Sequence, residues 1–209
     1  MSLGDLVFIL CFLGVVIAAS RIAWRLARGR TADAKRSAAW LAGFLALYFA
    51  VLLTVSLTTP GKHVPIGEPQ CFDEWCIAVA GVERPAAIGS VRPKGTFWIV
   101  NARVSNRGGG RRQRETGAFA YLVDRDGRRF DPSPEGQAAL AREGAAGSPL
   151  TAFVDPGGSF PSRIVFDVPP SARDLAFVKS SGWFPVTFII GDPGSLLHRR
   201  TVVDLVPAR

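Results

Sequence analysis

TFWIVNARVSN, residues 96–106, alternates strictly: Trp98, Val100, Ala102 and Val104 fall on one face, and Asn101, Arg103 and Ser105 on the other. That is the period of a strand with one face buried. The same pattern recurs outward from it. Ile77–Val82 is a short strand upstream. Ala118–Asp124 is another, closed by the tight turn Asp126-Gly127 and a return at Arg128–Phe130. Phe160–Val168 turns Ile164, Phe166 and Val168 inward and is stopped by Pro169-Pro170. Leu175–Lys179, Pro185–Ile190 and Thr201–Val206 extend the series, while Pro134–Glu143 has the composition of a short helix. Roughly seven or eight short strands punctuated by Gly, Pro and Asp predict an antiparallel β-sandwich.

The uncharged run SAAWLAGFLALYFAVLLTVSLTT, residues 37–59, is long enough to cross a hydrocarbon core of about 30 Å as a helix. A second apolar run, Leu6–Ser20, precedes it and is extended by Leu3, Gly4 and Ile22–Trp24. A signal peptide requires a positive n-region, and MSLGD carries only Asp5, so this run reads as an uncleaved first span. All six basic residues of the first 58 (Arg21, Arg25, Arg28, Arg30, Lys35, Arg36) lie between the two runs. Short positive loops stay in the cytoplasm, which predicts a cytoplasmic loop at about 21–36, with both termini outside. Trp24 and Trp40 then fall near the cytoplasmic interface, where amphipathic rings settle. Small residues (Gly14, Ala18, Ala38, Ala39, Ala42, Gly43) permit close packing of the two helices, and Cys11 reads as a small apolar residue in mid-span. The expected organisation is a transmembrane hairpin at 1–59, a Pro/Gly-rich linker at 60–70 and an extracytoplasmic domain at 71–209.

The domain's motifs resemble those of bacterial immunoglobulin-like domains of unknown function carried by secreted and membrane-anchored proteins. The shared signals are Val104, Asn106 and Gly108, then Asp124, Gly127 and Phe130, then Pro156-Gly157 with Phe166, Val168 and Pro169. They span roughly residues 75–206. The resemblance implies an Ig-like sandwich outside the membrane and no catalytic residue. This chain departs from it in having a two-span anchor and the pair Cys71/Cys76.

In an oxidising compartment cysteines this close form a disulfide, worth about 2 kcal/mol for so small a loop. A redox pair would be Cys-x-x-Cys at a helix start, whereas this is Cys-x4-Cys leading into a strand. The layout of two spans and an outside β domain is also similar to cytochrome oxidase subunit II. That family's copper cysteines lie near the end of the domain with His and Met close behind, while here they lie at its start with neither. No metal or cofactor is expected. Asp124, Asp126, Asp131 and Glu135 lack the spacing of a calcium loop, and Asp126-Gly127 is already accounted for as turn chemistry.

The chain carries +8 over 209 residues, split evenly as +4 in the first 58 and +4 in the rest. No lysine-rich run marks a nucleic-acid partner. Charge does gather in RGGGRRQRE, residues 107–115, where Arg107, Arg111, Arg112 and Arg114 form a candidate anionic-ligand contact on what reads as a solvated, flexible hairpin. Its three glycines are not a phosphate loop, since no Lys-Ser/Thr helix start follows. Trp98, Trp183, Phe97 and Phe184 are candidates for a stacking surface. Aromatics in strands usually belong to the core, and only Phe97, opposite Trp98, is expected at the surface. No serine sits in Gly-x-Ser-x-Gly, and His63 and His198 have no partner legible in sequence, so no enzyme is expected. The expectation is a non-enzymatic binding module anchored in the cytoplasmic membrane, engaging a protein or cell-envelope component and no small-molecule substrate. The alternatives are an accessory subunit of a transporter or respiratory assembly and, more weakly, an extracytoplasmic redox or metal protein.

Overall fold

The computed structural model describes residues 3–72, 74–182 and 184–205, with Leu3 described by its backbone alone. Trp183 and Val206, which figure in the expectations above, lie outside the described residues. Two compact units are present. The first comprises the described residues up to 60 together with 184–199, and the second comprises residues 61–182 together with those from 200 onward.

The first unit is built on α1 (Leu3–Ala27) and α2 (Thr31–Thr58), both long and apolar enough to cross a membrane. The stretch 21–36 is not an open loop. It is helical except at 28–30, where Gly29 adopts φ +73° and turns the chain back. Alanine and arginine are good helix formers, and nothing in the stretch breaks the helix before that glycine. The turn is fastened by Arg25, which donates to the Asp33 carbonyl and the Ser37 hydroxyl, and by an Arg30–Asp33 pair at 2.8 Å. Outward from it, Leu10, Ile17 and Trp24 on α1 and Trp40, Leu47 and Leu57 on α2 are exposed. Apolar side chains left outward along two whole helices are what a lipid-facing surface requires.

The second unit is a β-sandwich. One sheet has the order β2-β3-β4-β7 (Gln70–Phe72, Trp75–Glu83, Thr96–Asn106, Ser159–Val168), all antiparallel. The other has the order β1-β9-β8-β5-β6 (His63–Val64, Val202–Asp204, Ala176–Ser180, Phe119–Val123, Arg129–Phe130). The linker is therefore part of the fold. His63-Val64 pairs in parallel with Val202-Val203, and His63 Nδ1 lies 3.1 Å from the Asp204 carboxylate. Val64 is apolar and 9% exposed, so burying it in the core offsets the entropy of ordering the segment.

The core lies where the alternation places it. Val100, Val104, Ile164, Phe166 and Val168 meet Leu122, Phe177 and Val203 from the facing sheet. In β3 a bulge between Val79 and Gly81 shifts the register by one residue. As a result Val82 pairs with Val100 on the inner face and Glu83 turns outward. There Glu83 accepts from Asn101 at 2.7 Å and from Arg163 at 2.7 Å, while Arg163 Nε donates to Asn101 at 2.8 Å.

Phe97 departs from expectation: it is buried, at 1% exposure. α3 (Pro134–Arg142) lies across the outer face of this sheet and closes a second apolar cluster of Ile88, Phe97, Ile99, Ala139, Leu140 and Val165. Ser133 caps α3 by accepting from Gly136 N–H at 3.1 Å, with Pro134 following at the favoured first position. Gln137 covers the open edge of β7, donating to the Arg163 carbonyl and accepting from Val165 N–H. Pro185–Ile190, expected as a strand, is instead a 3-10 turn at Val186–Phe188 grouped with the helices. Pro185 has no N–H to give to a ladder, and no sheet edge of the sandwich takes the segment up.

Candidate functional site

The arginine loop joins the end of β4 to the start of β5, crossing from one sheet to the other. Asn106, the last residue of β4, organises it. Its side chain is 1% exposed, donates to the carbonyls of Arg111 (2.9 Å) and Val154 (3.2 Å), and accepts from Gly108 N–H (2.9 Å). Its backbone N–H and C=O are both bound by the turn at Gly157-Gly158. Further along, Gln113 and Val154 exchange both backbone hydrogen bonds, at 3.0 and 2.8 Å. The loop is therefore fixed at three points rather than being a flexible hairpin.

Cys71 and Cys76 are joined by a disulfide, as opposite residues of the β2–β3 hairpin. The turn it closes holds Glu74, whose carbonyl accepts from Arg107 N–H at 2.8 Å and whose carboxylate accepts from the Gln113 side chain. A Cβ on Gly108 would come within 2.3 Å of that carboxylate, so a side chain there would push the Glu74 carboxylate aside. The disulfide and the arginine loop, read separately in sequence, form one structure. Beside them Lys179, 8% exposed, sets its ammonium 3.6 Å above the Phe72 ring and donates to Ser181 Oγ at 2.7 Å.

The four arginines divide into two pairs. Arg112 and Arg114 both stack over the exposed Phe153, at 5.1 and 4.6 Å from its centroid, and Arg112 also pairs with Asp155 at 2.7 Å. Both partners of that pair are well exposed, so it is worth under about 1 kcal/mol. Arg107 and Arg111 are exposed and have no ion-pair partner among the described residues. The surface thus offers two uncommitted guanidinium groups beside a cation–aromatic cluster, which suits an anionic or carboxylate-bearing ligand. Sequence reading missed Phe153, Asp155 and Glu74, which are near the loop only in space, and Gln113, which lies in the loop but finds its partners Val154 and Glu74 only through folding. Asn106, by contrast, stands out in the sequence, and here its side chain ties the end of β4 to Gly108, Arg111 and Val154.

The site also occupies a defined end of the sandwich. A Cβ on Gly117, at the foot of the loop, would meet the Gly182 backbone N at 2.6 Å. Gly182 is where the chain leaves the sandwich. β1 and β9 run parallel to each other and antiparallel to β8, so residues 61 and 200, where the chain enters, lie at this end too.

The other sequence candidates are placed elsewhere. Trp98 is a core residue with the Arg84 guanidinium 3.7 Å above its ring. Asp124 is engaged by Arg128, and Asp131 by Arg129. No group of three or more His, Cys, Asp or Glu that could hold a metal ion occurs among the described residues.

No protein-family model matches the sequence, and no curated protein does. Among solved structures, the chain is similar to a conserved hypothetical protein from Bacillus anthracis, at 14% identity and TM-score 0.45 over 56% of this chain and 87% of that one. It is similar to an uncharacterised β-sandwich protein from Clostridium difficile, at 12% identity and TM-score 0.42 over 71% and 96% of the two chains. It is also similar to the secreted protein MPT63 of Mycobacterium tuberculosis, at 12% identity and TM-score 0.45 over 70% and 99%.

Proposed function

We propose that the chain is a membrane-anchored extracytoplasmic binding module without enzymatic activity. In this reading an Ig-like sandwich, held by a two-span hairpin, engages an anionic partner through the arginine loop. The partner is a protein or a cell-envelope component. The observation that carries the proposal is the fixed loop: Asn106, Glu74 and Gln113 order its backbone, and Arg107 and Arg111 stand exposed with no ion-pair partner among the described residues. Pre-ordering the backbone lowers the entropy lost on binding. The chain passes from the end of α2 at Thr58 to residue 61 in three residues, which span at most roughly 10 Å. Tethering the sandwich to the hairpin raises its effective concentration toward partners at the same surface.

The test is photo-cross-linking in native membranes from a probe at Arg111, with Asp126 in the β5–β6 turn as the control position. A partner captured from Arg111 and lost in Arg107→Glu/Arg111→Glu supports the proposal. Equal capture from both positions, or capture indifferent to the charge reversal, overturns it. Labelling of Arg30→Cys from the cytoplasmic side is expected, and labelling from the other side would overturn the orientation.

A further inference from the structure

Residues 184–199 return to the helical hairpin after the sandwich is almost complete. Their first half, FPVTFII at 184–190, is uncharged, and their second half, GDPGSLLHR at 191–199, is mostly polar or small. The deep contact of the segment is to Tyr48, whose hydroxyl donates to the Phe188 carbonyl at 2.6 Å. Phe188 also meets Phe49 edge-on at 6.3 Å, and Phe184 meets Phe8 of α1 at 6.5 Å. The shallow contact is a buried hydrogen bond between Ser56 and Ser195, 3.1 Å apart.

The helix rise gives these contacts a depth. Tyr48 lies ten residues before the end of α2 at Thr58, roughly 15 Å along its axis, while Ser56 lies two residues, roughly 3 Å, from that end. The segment therefore descends along the hairpin, reaches its deepest point near Phe188 and returns by Ser195. Its apolar half is at the bottom and its polar half at the top, the order a bilayer leaflet demands.

The backbone meets the same demand. Hydrocarbon supplies no hydrogen-bond partner, so non-helical backbone survives there only when its polar groups are satisfied internally. Pro185 and Pro193 have no N–H to satisfy. Phe188 N–H donates to Pro185, Ile189 to Val186 and Leu196 to the Thr187 carbonyl across the bend, at 2.9, 3.1 and 2.9 Å. Ser195 and His198 close the upper turns on the carbonyls of Asp192 and Ser195, and Gly194 N–H is held by the Asp192 carboxylate at 2.7 Å. Phe184 at 55% and Leu197 at 62% exposure leave much of their apolar surface uncovered.

We propose that residues 184–197 form a re-entrant membrane segment, seated in the leaflet on the sandwich side of the bilayer, with lipid acyl chains against Phe184 and its apolar neighbours. The occupant is lipid rather than a further protein because the segment continues the exposed apolar surface of α1 and α2, both of span length. The chain is thus held in the membrane at three places, and the sandwich is anchored at both of its chain exits.

The proposal rests on the hairpin spanning a bilayer, and the experiment separates the two. Full-length protein lacking Cys11 (Cys11→Ala) is reconstituted in phosphatidylcholine–phosphatidylglycerol vesicles with a nitroxide at Phe184→Cys, Leu47→Cys or Asp126→Cys. Collision rates are read with oxygen and with a nickel chelate that hydrocarbon excludes. The oxygen-to-nickel ratio at Phe184→Cys is expected roughly tenfold above that at Asp126→Cys and near that at Leu47→Cys. A Phe184→Cys ratio equal to Asp126→Cys overturns the proposal, as does protection from both agents, which would mean a protein covers the segment. If Leu47→Cys is itself aqueous, the spanning hairpin fails as well. A second measurement needs no variant: wild-type protein is irradiated with a phospholipid carrying a diazirine on its acyl chain, and its peptides are mapped. Adducts on 184–197 as well as on α2 are expected, and adducts confined to the helices overturn the proposal.

Discussion

Asn106 holds the carbonyl of Arg111 at 2.9 Å, across five residues of arginine-glycine loop, while its own Oδ1 accepts from Gly108 N–H inside the same loop. One buried side chain thus replaces the regular hydrogen bonding that a loop of this composition cannot make. Asn106→Ala leaves the Gly108 N–H buried without its acceptor, a loss of about 2 kcal/mol. Chemical unfolding of the full chain in micelles is expected to show that loss. Hydrogen exchange at 107–113 should quicken well beyond any change in α3, and a uniform change would mean that Asn106 supports the fold without ordering the loop.

The disulfide is expected to act on the loop as well as on the fold. Replacing it (Cys71→Ala/Cys76→Ala) removes a constraint worth about 2 kcal/mol on the unfolded chain. It also frees the turn that carries Glu74, to which Arg107 N–H and the Gln113 side chain are bound. Exchange of the Arg107 amide is therefore expected to rise by more than the global destabilisation accounts for. An Arg107 amide that tracks global stability alone would separate the disulfide from the loop.

Gly136 lies in the first turn of α3, where a Cβ would come within 2.6 Å of Val165 Cγ1 and 3.1 Å of Phe97 Cε1. Alanine is favoured over glycine inside a helix by about 1 kcal/mol. Here the clash wins, because overpacking a closed cluster costs about 1–3 kcal/mol and Val165 is fully buried. Gly136→Ala is expected to destabilise the sandwich, and Gly136→Ala/Val165→Ala to recover part of the loss relative to Val165→Ala alone. Additive effects in that cycle would rule out the contact.

The inner face of the sandwich was legible in sequence because period-two alternation and burial are one signal, as in Trp98, Val100, Ala102 and Val104. The outer face was not. Phe97 reads as solvent-facing until α3 is laid over it, and a nine-residue helix carries no record of which sheet it covers. The same limit applies to the candidate site. Its arginines stand out by composition, whereas Phe153, Glu74 and Gln113 acquire meaning only when Val154 and the disulfide turn are brought to the loop by folding. Residues 185–190 misled for a related reason: an apolar run bounded by turns has the composition of a strand, and the contact with Tyr48, 140 positions from Phe188, is not legible in it.

Asp124 makes the acid response of the sandwich predictable in sign. It is a buried carboxylate, and burial by itself works against its charge. The Arg128 guanidinium, at 2.7 Å, and the N–H groups of Arg128 and Asp126, at 2.8 and 3.1 Å, outweigh that and hold its pKa below the ordinary carboxylate value. The folded state therefore binds this proton less readily than the unfolded state. The stabilisation from Asp124 is complete above the unfolded pKa of about 3.9, and is lost as pH falls from there through the lower folded value. Asp124→Asn keeps an oxygen for the turn N–H groups but has no charge to lose. It is expected to be less stable than wild type at neutral pH, with the difference narrowing below about pH 4. Unfolding midpoints of the two proteins measured across that range check this. A difference that stays constant, or widens, as the solution is acidified would mean that the carboxylate's charge does not stabilise the hairpin.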